Sequence, residues 1–198
     1  MKLFTLVLVA LMISGIAMAA EVPTDAGDKA MIFMFQGLDD LHFGGYTDYG
    51  FGMRYYIADN TALRGGIIFG MDSWNDEIFD EEGSVKSYGI EAVYEKHLEG
   101  PCASVAPYWG LGGHFMSMTD EYTDAIDDEY ITSGSGFGVF GTLGFEWGWT
   151  DCITLGGEYR LGFDSMSMEF EYNGDSTDVG DMSSSGFGAA SVYMSVYW

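Results

Sequence analysis

The chain has 198 residues, with 31 Asp+Glu against 7 Lys+Arg and a formal net charge of −24. Acid in this excess excludes nucleic acid as a partner, because nothing would neutralise its phosphates, and it excludes docking on anionic lipid through a basic patch. The 29 glycines are roughly twice the usual ~7% share, and aromatics at 16% are too frequent for an acidic disordered chain. Together they point to a β-rich protein with acidic connections.

In chain order, residues 1–20 (MKLFTLVLVALMISGIAMAA) come first. Lys2 supplies a positive start, 3–13 an apolar stretch and AMA at 17–19 a small-x-small cleavage site. This is the pattern of a secretory signal peptide. Its apolar stretch is short for a membrane anchor. Beyond residue 20 the longest unbroken apolar run is six residues, 30–35, far below the ~20 that a spanning helix needs. If the rest of the chain enters a membrane, it must do so as a closed barrel, because only then is every backbone group satisfied.

Period-two alternation, the strand signal, recurs along the whole remainder. It predicts eight strands, near 29–37, 46–57, 61–71, 85–97, 103–117, 133–149, 152–168 and 185–198. At the C-terminus Ala190, Val192, Met194, Val196 and Trp198 fall on one face, and Ser191, Tyr193, Ser195 and Tyr197 on the other. The first strand is apolar on both faces and its sides are not assigned. Connections at 58–60, 97–101 and 150–151 are short, whereas 72–84, 118–132 and 169–184 read as long loops, with a shorter one at 38–45. An even strand count, tight turns at one end and long loops at the other are the pattern of an outer-membrane barrel. The fold expected is therefore an all-β, eight-stranded antiparallel up-and-down transmembrane β-barrel over 29–198. Residues 21–28 form a short periplasmic segment before it.

Charge is distributed as that reading requires. Segments 71–85, 117–131 and 169–181 hold seventeen of the acids and none of the Lys or Arg. Lys86 and Lys96 share an outward parity, separated by about 24 Å along the membrane normal at a ~3.4 Å rise and ~45° tilt, so each reaches one interface. Tyr55, Trp147, Trp149 and Trp198 lie near the periplasmic strand ends, where an aromatic girdle belongs. Arg54, Arg64, Glu91, Glu95, Glu146, Glu158 and Arg160 share the inward parity. Mixed charges in a narrow lumen neutralise one another, and an eight-stranded barrel is just wide enough to be filled by side chains. These seven are read as a salt-bridge network that plugs the lumen, with inward glycines leaving room for them. A proton or ion path along the same groups is the functional alternative.

Several segments carry a family resemblance. FQGL at 35–38, GFGMRYYIADN at 50–60, TALRGG at 61–66, GFEW at 144–147 and LGGEYR at 155–160 resemble the small eight-stranded outer-membrane β-barrel domain family, the group of the OmpA membrane domain and OmpX. The terminal VYW at 196–198 resembles the aromatic signal read by the barrel-assembly machinery, with Trp198 where Phe is commoner. The resemblance implies a monomer in the outer membrane of a Gram-negative-type bacterium, surrounded by lipid and lipopolysaccharide. It implies no single activity, since one fold hosts many.

Other candidates are read against plainer roles. Cys102 and Cys152 each open a strand after a periplasmic turn with inward parity. The periplasm is oxidising, but one strand lies between them, about 10 Å against a ~7 Å limit, so bonded and free both stay open. His114 with Ser117 lacks the spacing and the lipid-facing side of a deacylating barrel enzyme, and reads as a lumen histidine that hydrogen-bonds. His42 and His97 lie at opposite ends and form no zinc cluster. The acidic segments lack the spaced ligand pattern of a calcium loop and read as solvated, with cation bridging to lipopolysaccharide as the alternative. Trp74, Ile78, Phe79, Tyr122, Ile126 and Tyr130 sit among those acids as loop-ordering or partner-binding groups. Four functions follow: a structural or porin-like barrel without chemistry or cofactor, a surface receptor or adhesin, a barrel enzyme, and a soluble barrel that holds a ligand. The last needs an apolar inside, the reverse of the charge placement here.

Overall fold

The computed structural model describes residues 20–36, 48–76, 81–123, 128–173 and 175–198. Residues 1–19 lie outside that set, as do His42, Ile78, Phe79 and Ile126. Eight antiparallel strands make a single closed barrel in chain order. They are β1 (Lys29–Gln36), β2 (Asp48–Ala58), β3 (Thr61–Asp76), β4 (Glu81–His97), β5 (Val105–Thr123), β6 (Glu129–Thr150), β7 (Ile153–Tyr172) and β8 (Asp175–Tyr197). The ring closes where β1 pairs with β8, Ala30 opposite Tyr197 and Phe35 opposite Val192. Pairing followed once round from Phe35 runs through Tyr49, Phe69, Tyr88, Ser117, Ser135 and Ser167 to Asp181. The offset from 181 to 192, eleven residues with one register shift of β8 included, is the stagger that tilts the strands.

Alternation sorts the side chains into two solvents. Phe51, Met53, Tyr55, Leu63, Ile67, Phe69, Ile90, Leu111, Phe115, Phe137, Val139, Leu143 and Phe163 turn outward, and most are more than a third exposed. The strand that is apolar on both faces resolves cleanly. Ala30, Ile32 and Met34 are buried inside it, and Met31, Phe33 and Phe35 face out. The inner ones close on tyrosines, Ala30 with Tyr56 and Tyr197, and Ile32 and Met34 with Tyr108 and Tyr193. The outward band runs on β6 from Trp149 to Phe137, about 29 Å along the axis at a ~3.4 Å rise and ~45° tilt. Among the described residues no outward Asp, Glu or Arg falls inside it.

The long connections are the main correction. The segments read as loops at 72–84, 118–132 and 169–184 are mostly paired strand, with β4–β5 pairing running to Glu82–Thr123, β5–β6 to Thr123–Glu129 and β7–β8 to Tyr172–Asp175. Alternation fades there because both faces of the wall meet water, so neither needs to be apolar. The backbone ladder continues regardless, since pairing satisfies N–H and C=O groups on either side of that boundary. At 22 residues β6 spans about 50 Å, roughly twice the ~25 Å apolar band. The acids are thus set on a protruding wall. We call this end the tall end and the other, with the turns at 59–60 and 151–152, the strap end.

The strap is residues 20–28. Ala20 N donates to Gly148 O at 3.1 Å, Val22 N to Ala103 O at 3.1 Å and Ala26 N to Asp59 Oδ1 at 3.0 Å. Asn60 adopts the left-handed φ of +58° that a tight turn requires and Asn tolerates, and its N–H donates to Thr24 O at 2.7 Å. Val22 is buried, so the strap is seated across the barrel mouth at that end.

Candidate functional site

The lumen is filled at mid-height by charge. Arg54 on β2 and Arg64 on β3 are directly opposite in the register, an arrangement that repels unless something lies between them. Glu95 on β4 does. Its Oε2 accepts from Arg54 Nε at 2.7 Å and its Oε1 lies 3.1 Å from Arg64 Nη1. Arg54 Nη1 also donates to Glu146 Oε2 at 2.6 Å. Arg64 forks onto Glu158, Nη1 to Oε2 at 2.9 Å and Nη2 to Oε1 at 3.1 Å. Arg160 continues the chain of contacts, Nε to Glu158 Oε1 at 2.7 Å and Nη1 to Glu91 Oε2 at 2.7 Å. All seven residues singled out by inward parity meet in this one cluster, and Arg54, Glu95 and Glu146 are 0% exposed. Three guanidiniums face four carboxylates, a formal excess of one negative charge.

Aromatic and hydroxyl groups complete the plug. Tyr108 OH donates to Glu158 Oε2 at 2.7 Å, Tyr197 OH to Glu146 Oε1 at 3.0 Å, and Thr154 Oγ1 to the same Glu146 oxygen. The Arg54 guanidinium lies 5.6 Å from the Tyr193 ring centroid, and that of Arg160 lies 4.6 Å from Phe140. His97 is buried, 3.2 Å from Tyr56 OH and stacked on Tyr108 at 5.0 Å. Among these partners Tyr193 and Tyr197 were legible from the parity of the last strand, but nothing in the sequence marks which hydroxyl meets which carboxylate. Glycine makes the room: a Cβ on Gly144 would land 2.5 Å from Tyr108 Cζ, and one on Gly156 would overlap the Tyr193 ring.

The remaining candidates separate. Tyr55, Trp149 and Trp198 project outward at the strap end with Trp147 half-buried beside them. Lys96 Nζ donates to Thr61 Oγ1 at 2.9 Å near that end, and Lys86 Nζ to Glu121 Oε2 at 3.0 Å on the tall wall. The Lys86 hydrogen bond holds the Glu121 carboxyl below the usual carboxylate range. Cys102 and Cys152 are corrected on two counts. Neither opens a strand, since both lie in strap-end turns, and neither points inward, since both are exposed and unbonded to each other. Their Sγ atoms lie instead near Ser104 Oγ at 3.2 Å and Thr150 Oγ1 at 3.7 Å. The strap and the tight turns direct them out of the barrel rather than along its wall. His114 lies inward, its Nε2 2.9 Å from Asp164 Oδ1 and its ring stacked on Phe140 at 5.7 Å. At the tall end Tyr130 lies 5.1 Å from Tyr172 and 5.6 Å from Tyr122, ring to ring; the Trp74 side chain lies outside the described residues.

No protein-family model matches this chain, and no curated protein matches it by sequence. Solved structures do. Ail, the attachment invasion locus protein of Yersinia pestis, superposes with a TM-score of 0.55 in its complex with the heparin analogue sucrose octasulfate and 0.54 without it. Both are 11% identical over 87% of this chain and 99% of Ail. A major outer membrane protein from Thermus thermophilus superposes with a TM-score of 0.53 at 12% identity, over 86% of this chain and 99% of that one. The chain therefore has the fold of the small outer-membrane β-barrels.

Proposed function

We propose that the protein is a non-enzymatic β-barrel of the outer membrane of a Gram-negative-type bacterium, a structural or porin-like element with a filled lumen. The observation that carries this reading is the inversion of the usual globular pattern. An apolar belt with no outward Asp, Glu or Arg among the described residues faces out while seven charged side chains are sealed inside. A water-soluble barrel would expose that belt at a cost far beyond the few hundred Å² a monomer tolerates. In this reading residues 1–20 are the export signal, Trp198 is read by the barrel-assembly machinery, the strap end faces the periplasm and the tall end stands among lipopolysaccharide as a monomer. Fractionation with a urea wash tests the location: the protein stays with the outer membrane and shifts mobility on heating before electrophoresis. Release by urea would refute it. Planar-bilayer recording tests the plug: the wild type shows no sustained conductance, and Arg64→Ala/Glu158→Ala opens measurable steps.

A surface receptor or adhesin is the second reading, favoured by the cluster of Tyr122, Tyr130, Phe170 and Tyr172 on the protruding wall. The polyanion seen on Ail does not suit it, because this wall is acidic. A cationic or apolar partner does. Loss of cell binding on shortening the β5–β6 wall beyond 119 and 133 supports it, and unchanged binding rejects it.

A further inference from the structure

What remains of the alternation above the oil runs in the opposite sense on β5, β6 and β7. The β5–β6 and β6–β7 ladders carry no register shift between the lumen and the tall end, so parity passes straight up from His114, Gly138 and Asp164. Outward positions become Thr119, Glu121, Ser133, Ser135, Glu169 and Glu171, with Ile131 the apolar exception. Inward positions become Met118, Tyr122, Tyr130, Met168, Phe170 and Tyr172, interrupted by Asp120, Thr132 and Gly134. The rings are in contact. Tyr130 lies 5.1 Å from Tyr172, 5.6 Å from Tyr122 and 6.4 Å from Phe170, centroid to centroid, and Tyr172 is still 40% exposed. Asp48, the first residue of β2, is level with Gly70, Ser87, Met118, Gly134 and Met168. The rungs that carry the four rings stand above it, and among the described residues neither β1 nor β2 reaches them. The face is about 10 Å tall from Met118 to Tyr122, at a ~3.4 Å rise and ~45° tilt, and about 10 Å wide from β5 to β7. That is the diameter of one helix.

We propose that this inner face of the wall binds a cationic amphipathic peptide segment, its apolar side on the rings and its Lys or Arg on the carboxylates around them. The proposal rests on the receptor reading and names the class of its partner. An apolar face held in water favours whatever covers it, and an amphipathic helix laid into an apolar groove is a recurrent way of doing so. Charge decides the sign of the partner. Asp120 shares the face, level with Thr132 and Phe170. Asp128 sits beside it and accepts from Asn173 Nδ2 at 2.9 Å and from Tyr172 OH at 2.8 Å, which hold its carboxyl below the usual range. Among the described residues of the wall Lys86 is the one cation, and it is paired with Glu121 at 3.0 Å on the other face. A cationic side chain gains from both kinds of neighbour, since tyrosine faces attract it as carboxylates do. Rings that only brace the three strands against one another make the opposite prediction, because no added peptide would then reach them.

The test uses the full barrel in nanodiscs of phosphatidylcholine, with empty discs as the blank. The probe is a short fluorescent peptide of leucine and lysine at helical spacing, compared with its leucine–glutamate counterpart and with oligolysine of the same length. The leucine–lysine peptide binds barrel discs at least tenfold more tightly than empty discs, and at least tenfold more tightly than either comparison peptide binds the barrel. In methyl-labelled protein the signals of Met118 and Met168 shift on adding it, and those of outward Met53 and Met71 do not. Tyr130→Ser/Phe170→Ser weakens binding at least tenfold, whereas Thr119→Ala/Ser133→Ala, at the same height on the outer face, leaves it unchanged. Heat-modifiable mobility verifies folding. Equal binding of oligolysine, equal binding of the glutamate peptide, unmoved Met118 and Met168 methyls, or undiminished binding by the folded Tyr130/Phe170 variant would each overturn the proposal. The methyl shifts decide it from the wild type alone if that variant does not fold. Loss of cell binding on shortening the wall, with no leucine–lysine peptide bound, overturns this partner and leaves the receptor reading standing.

Discussion

At the scale of single residues, burial sets how much each charge matters. Glu95 separates two opposed guanidiniums with no solvent to screen them. Glu95→Gln keeps the shape and leaves both Arg54 and Arg64 short of a counter-charge, so it costs about 3–5 kcal/mol of unfolding free energy, the range for breaking a buried pair. Tyr108→Phe removes one hydroxyl donor to Glu158 and costs about 1.5–3 kcal/mol, as a hydrogen bond to a charged group does. Glu121→Ala dissolves an exposed pair with Lys86 and costs about 0–1 kcal/mol. Urea unfolding of the three variants in micelles checks the order. An equal effect from all three would mean that the lumen is wet and screened. Parity alone brought the seven charged residues to notice. It could not reveal that Glu95 lies between the two arginines, because that depends on β2, β3 and β4 lying side by side in one register.

At the scale of the strand, the question is where oil ends along a ladder that does not. On β6 the outward residues change from Phe137 to Ser135, and on β5 from Phe115 to Ser117, with no break in pairing. An arginine at Val139, within the band, therefore costs about 2–4 kcal/mol in a lipid bilayer, and one at Ser135 about 0–1 kcal/mol. Refolding titrations into vesicles measure both. The amides of 118–123 and 130–134 are paired, so hydrogen exchange there is slow, on a par with the band itself. Exchange complete within seconds would restore the loops that composition suggested. Composition misled at this point because acid, serine and glycine mark contact with water, which a loop and a strand standing above a membrane share equally.

At the scale of the molecule, the barrel has two unlike ends. Both cysteines are exposed at the strap end, so a membrane-impermeant maleimide labels neither in intact cells and both, without reductant, once the outer membrane is permeabilised. Labelling in intact cells would reverse the orientation. Failure to label after permeabilisation would mean that the turns move to allow a bond. The bonds of Val22 to Ala103 and of Thr24 to Asn60 tie the strap to that end.

Alternation, charge signs and turn spacing were enough to settle that eight strands form a barrel with oil outside and ions inside, because each side chain must match the solvent on its own face. Three things required the closed ring. One is the bridging of Arg54 and Arg64 by Glu95, another the height of the acidic wall, and the third the meeting of His114 with Asp164 over Gly138. All three depend on which residues stand level across neighbouring strands, and level is set by the stagger of the whole barrel, which no single strand carries.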